Sequence, residues 1–111
     1  MTIATERAEK AVEYLRDSAQ KYGNARGYLA FCDANLRRVR ALEMLNGGGD
    51  DESLGLREAK ALASTPYHNA IIELQNATAD YETLRAKREA AVMTIECWRS
   101  QASAAKQGLN L

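Results

Sequence analysis

The chain carries few side chains suited to chemistry. His68 is the single histidine. Alone, it supplies neither a metal cluster nor a base beside a nucleophile, and it reads as a solvated residue. Glu73, Asp80 and Glu89 are spaced as charges on an outer helix face, not as an acid–base pair. No carboxylate-x-x-His pair of the kind that builds a di-metal bundle is present. The run Gly47-Gly48-Gly49 lacks the Gly-Lys-Ser/Thr ending of a phosphate loop. The expectation is a protein with no catalytic, cofactor-binding or metal-ligating residues, that is, not an enzyme.

Three clusters fit recognition instead. The first is Arg37-Arg38-x-Arg40, which reads either as a solvated or internally paired face, with the acidic Asp50-Asp51-Glu52 able to neutralise it, or as a phosphate contact. The second is Arg85-x-Lys87-Arg88, expected level with Lys21 and Arg26 and able to form a basic belt with them. Arg88 falls at a seam position, so it must snorkel or find a carboxylate partner. As a buried polar residue it would fix helix register; as part of a belt it would touch a nucleic-acid backbone. The third is Cys97-Trp98-Arg99-Ser100, with the only tryptophan of the chain. Trp98 suits a core knob at one end of the fold, or, with Arg99, an anchor for another protein. Tyr14, expected at a comparable level on the first helix, would share either role.

The elements that must position these residues are helices. Twenty of the 111 residues are alanine, whereas valine, isoleucine and threonine together number thirteen, a composition that favours helix over strand. Seven aromatic residues leave any core thin. Fifteen basic side chains balance fifteen acidic ones, so the excess positive charge of a dedicated polyanion binder is missing. One domain suits this length.

From Thr5 to Leu45, Ala8, Val12, Leu15, Ala19, Tyr22, Ala25, Leu29, Cys32, Leu36 and Val39 recur at steps of three and four. That spacing predicts one long helix, with a possible bend near Gly23 and Gly27. Residues 46–52 form a Gly-rich turn, with Asn46-Gly47 as a left-handed cap. A short helix is expected over about 53–63. Thr65 as cap and Pro66 as first helical residue open a second long helix, about 66–106, with Gly108 just past its end. Its heptad places Tyr67, Leu74, Tyr81, Arg88, Ile95 and Ala102 at a, and Ala70, Ala77, Leu84, Ala91, Trp98 and Ala105 at d. The expected fold is all-α, a long antiparallel hairpin with a short connecting helix.

The apolar surface is wider than one seam requires. Tyr28, Phe31, Leu42, Met44, Ile71, Ile72, Val92 and Met93 are left over, and such patches mark an interface. A homodimer or higher helical bundle is therefore expected. No apolar run approaches the roughly 18 residues of a membrane span, and Met1-Thr2-Ile3-Ala4-Thr5-Glu6-Arg7 has neither the basic start nor the apolar core of a signal peptide. Cytoplasmic residence follows as the expectation, with Cys32 and Cys97 as buried reduced thiols too far apart in the hairpin to join.

A long Ala-rich helix, a Gly-rich break, the Arg57-Glu58-Ala59-Lys60-Ala61 helix, Tyr67-x-x-x-Ile71 and the late Trp98-Arg99-Ser100 together resemble small helical proteins of phages and prophages. That resemblance implies a role in DNA recombination or replication, or in blocking a host protein. It implies no catalytic residues. The leading reading is thus a non-enzymatic, macromolecule-binding protein with Trp98, Arg99 and Tyr14 as candidate protein-binding residues. Its alternatives are a DNA-binding accessory protein using Arg37, Arg38, Arg40, Arg85, Lys87 and Arg88, and a purely structural scaffold module.

Overall fold

A computed structural model describes residues 2–47, 49 and 51–109. Three helices follow in order: α1 (Ile3–Asn46), α2 (Leu54–Leu62) and α3 (Thr65–Leu109). Among the described residues there is no strand. No described helix is long and apolar enough to cross a membrane.

Local chemistry sets the helix ends. The Thr2 hydroxyl accepts from the Thr5 amide at 3.1 Å, and Glu6 adds a carboxylate to the first turn, so α1 begins two residues before the expected Thr5. Ser53 caps α2 by accepting from the Leu56 amide at 3.2 Å. Ser64, not Thr65, caps α3: its hydroxyl accepts from the Tyr67 amide at 3.3 Å. Thr65 and Pro66 are already the first two helical residues. At the other end α3 runs through Gly108 to Leu109. Neither glycine expected to bend α1 interrupts it; α1 is a single helix of 44 residues.

The expected left-handed cap is absent at Gly47, because no described glycine has a positive φ. What Gly47 provides is room, since a Cβ there would lie 2.8 Å from the Glu43 carbonyl oxygen. Gly48 and Asp50, also part of the expected turn, lie outside the described residues.

The described chain divides into two compact units. Unit 1 joins the residues up to Gly23 with those from Glu82 onward. Unit 2 is Asn24–Tyr81, with α2 inside it. The two long helices pair in each unit as a helical hairpin. In unit 1 the indole Nε1 of Trp98 donates to the Thr5 hydroxyl at 3.1 Å, and Arg88 reaches Leu15 and Ser18. Rising numbers on α1 thus meet falling numbers on α3, which makes the pair antiparallel. In unit 2 the Tyr28 hydroxyl donates to the Glu73 carboxylate, and Arg40 pairs with Glu58 of α2.

The α3 heptad is borne out from Tyr67 to Trp98, where every a and d residue is buried or half-buried. Ala102 and Ala105 are exposed instead. Because Trp98 already lies beside Thr5, almost no α1 remains to cover them. The α1 seam differs from its expected register at two places. Ala11 and Ser18 are buried, whereas Val12 is half exposed and Ala19 exposed. With those two corrections, steps of three and four alternate without interruption from Ala4 to Glu43. The buried apolar residues are Ala8, Ala11, Cys32, Ala61, Ala70, Ala77 and Ala91. Small side chains let the helices approach closely, but they bury little apolar area apiece.

Candidate macromolecule-binding surface

Arg88 turns into the unit 1 seam and away from any basic belt. Its Nη1 donates to the Leu15 carbonyl and to the Ser18 hydroxyl, both at 2.7 Å. Its guanidinium carbon sits 4.9 Å from the centre of the Tyr22 ring, a cation–π contact. Ser18 in turn donates to the Tyr14 carbonyl at 2.6 Å, so one hydroxyl both gives and receives. The expected carboxylate partner is replaced by a hydroxyl, a carbonyl and a ring. This arrangement gives both Nη1 hydrogens of a half-buried cation an acceptor without burying a second charge. A one-residue slip along the seam would separate Arg88 from Ser18, so the contact selects the register.

Lys87 and Arg85 stay exposed. Arg85 is bracketed by Glu82 and Glu89 at 3.4 and 3.1 Å. The other basic cluster is paired as well, and its partners among the described residues are other than Asp51 and Glu52. Arg37 bonds Asp33 at 3.2 Å, Arg40 bonds Glu58, and Arg38 bonds the Asn35 side chain at 3.5 Å. Glu52 serves Lys60 instead. Helical spacing supplies Asp33, and the return of α2 supplies Glu58.

Trp98 takes the expected core position at one end of the seam. It is half-buried and hydrogen-bonded to Thr5, and a cleft opens on either side of it. One, of about 460 Å³, has Ala8, Val12, Ile95 and Trp98 as its apolar floor, with Glu9, Glu13 and Arg16 at its edge. The other, of about 440 Å³, is lined by residues that include Arg7, Met93, Cys97 and Trp98. Arg99 is exposed and pairs with Glu96 at 3.4 Å. Cys97 is exposed, contrary to the expected buried thiol, while Cys32 is buried. Tyr14 does not join Trp98. It lines a separate shallow cleft with Ala90, Ala91 and Thr94, and its buried hydroxyl has no hydrogen-bond partner among the described residues.

Exposed apolar side chains distinguish the two units. Unit 1 shows Ile3, Val12, Val92 and Met93. Unit 2 shows Tyr28, Phe31, Leu42 and Leu45 on α1, Leu54, Leu56 and Leu62 on α2, and Ile72 on α3. Tyr28 and Phe31 stack with ring centres 6.2 Å apart. Glu73, receiving the Tyr28 proton donor, holds that hydroxyl well above the usual tyrosine range, and Cys32 adds to the shift. No group of three or more His, Cys, Asp or Glu side chains suited to a metal ion occurs among the described residues. His68 is exposed.

These features define an all-α helical hairpin with a small-residue seam, an arginine set into it and an apolar exterior. No family model matches the chain, and neither does any curated protein or solved structure.

Proposed function

We propose that this is a non-enzymatic protein that works by binding macromolecules, foremost protein, and that it self-associates. The observation that carries this is unburied surface. The chain exposes 8233 Å² at 12.2 kDa, against roughly 6,100 Å² for a compact monomer of that mass. The difference, about 2,100 Å², is of the order that one partner loses in a large permanent interface. Twelve large apolar side chains contribute to that surface, and their contact with water is what a partner would relieve.

Protein is favoured over nucleic acid because the arginines of both basic clusters are already engaged, Arg37, Arg40 and Arg85 with carboxylates and Arg88 in the seam. A phosphate would have to displace those partners. Trp98 and Arg99, beside the two clefts, are the proposed anchor for a foreign protein. The phage-like order of elements supports a setting in DNA recombination or replication, or in blocking a host protein.

The test pairs two measurements on the intact chain. Anisotropy of a labelled single-stranded oligonucleotide is followed at low and near-physiological salt, and light scattering gives the mass at tens of micromolar. The reading expects no salt-sensitive DNA binding and a mass above one chain. Binding that weakens steeply with salt and is lost when Arg37, Arg38 and Arg40 become Ala would move the function to DNA.

A further inference from the structure

We infer that a second copy of this chain docks antiparallel along one stripe of α1, formed by Tyr28, Phe31, Asn35, Arg38, Leu42 and Leu45. This rests on the self-association proposed above and names the face that makes it. The six residues recur at steps of three and four, so they form one continuous ridge. The stripe lies wholly within unit 2. Its four apolar members are between 40% and 74% exposed.

The pattern of the stripe identifies its occupant. It reads apolar, apolar, polar, polar, apolar, apolar, and it is symmetric about the point between Leu36 and Arg37. A two-fold axis there sets Tyr28 against Leu45 of the second copy and Phe31 against Leu42. The same operation sets Asn35 against Arg38, twice. A self-complementary patch of this kind is what a two-fold interface requires. An unrelated partner would have no need of the symmetry.

The polar centre matches itself in chemistry as well as in position. Arg38 donates to the Asn35 carboxamide oxygen of its own helix at 3.5 Å, the long limit of a hydrogen bond. In the pair it can donate to the Asn35 of the other copy, keeping both groups satisfied while the leucines and rings close around them. A buried Asn in an apolar seam fixes register; a slipped pairing would strand it among leucines, and a parallel in-register one would set Arg38 against Arg38, like charge on like charge. Flanking the stripe on its outer side are Gly27, Ala34 and Ala41, which are small, uncharged and exposed. They place no like charge at the contact and allow close approach.

Light scattering at tens of micromolar on the wild type, Phe31→Glu, Leu42→Glu and Met93→Glu tests this. Met93 is an exposed control from unit 1. The expected masses are two chains for the wild type and Met93→Glu, and one chain for Phe31→Glu and Leu42→Glu. Helical circular dichroism should be unchanged throughout, because both replaced stripe residues are substantially exposed. Two-chain masses for the stripe variants, or loss of the dimer only with Met93→Glu, would overturn the stripe while leaving self-association intact. A one-chain wild type would overturn both.

Spin labels settle the orientation without relying on charged substitutions. Ala34→Cys and Asn24→Cys are compared in a Cys97→Ser background, with the buried Cys32 left in place. Antiparallel pairing offsets the two labels along the axis by about 8 Å at residue 34 and about 38 Å at residue 24, at 1.5 Å rise per residue. Equal distances at the two sites would mean parallel pairing and would contradict the proposal.

Discussion

The two units use the same pair of helices and differ in what closes them. In unit 1 the seam contains its own polar fastening: Arg88 on Ser18, Leu15 and Tyr22, and Trp98 on Thr5. Few large apolar side chains remain outside. In unit 2 the seam combines alanine and cysteine with half-buried leucine, valine and tyrosine, and among the described residues eight large apolar side chains face outward. The lesson is that a thin, alanine-rich seam can pair two helices without using up their hydrophobic surface. Unit 1 is specified from within, whereas unit 2 still has apolar surface to cover.

Breaking the fastening should give the largest effect. Arg88→Ala is expected to cost about 2–3 kcal/mol in denaturant unfolding, and Ser18→Ala about 1–2, because each leaves seam groups without partners. The two losses should not add, and a double-mutant cycle should show coupling of about 1 kcal/mol. Full additivity would mean that the contact does not hold the register.

Glycine substitutions sharpen the comparison at smaller scale. Gly23 in unit 1 and Gly27 in unit 2 are helical, and an added Cβ would meet nothing within 4 Å. Gly23→Ala should therefore stabilise by about 0.5–1 kcal/mol. Gly27→Ala should do the same if the added methyl group is tolerated in the self-paired state. Gly47→Ala should destabilise, because its Cβ would meet the Glu43 carbonyl. Thermal unfolding of the three variants checks the opposite signs.

The smallest effect concerns Tyr28. Its raised pKa means that the protonated hydroxyl is favoured in the folded state. The resulting stability is fully present below the unfolded tyrosine value of about 10 and is lost as pH rises through the folded one. In an absorbance titration of the folded chain, Tyr28→Phe should remove an ionisation that falls above the usual tyrosine range. Glu73→Gln should bring the ionisation to lower pH.

Most of the fold was legible because α3 states its register in large residues. Tyr67, Leu74, Tyr81, Ile95 and Trp98 mark one face, and alanines fill the gaps at the expected spacing. On α1 the same reading slipped because it followed hydrophobicity. Hydrophobicity favours Val12 and Ala19 over Ala11 and Ser18, and a serine in the seam has no apolar signature. The signal that could have found it was Arg88 itself, since a cation at an a position demands a polar partner one layer across. That the Arg37 cluster is internally paired is legible in the sequence, but not all of its partners are. Asp33 is one helical turn from Arg37, but Glu58 comes near Arg40 only because α2 folds back, which periodicity does not encode. Tyr14 was put at the level of Trp98, and the register fixed by Thr5 and Arg88 separates them.

The proposed self-association requires that unit 1 be closed from within and unit 2 by another copy. Amide hydrogen exchange at two protein concentrations, roughly a hundredfold apart, tests it most directly. Amides of residues 28–45 should exchange more slowly at the higher concentration, while those of residues 8–22 and 84–98 change least. Equal protection of both regions at both concentrations would contradict the account.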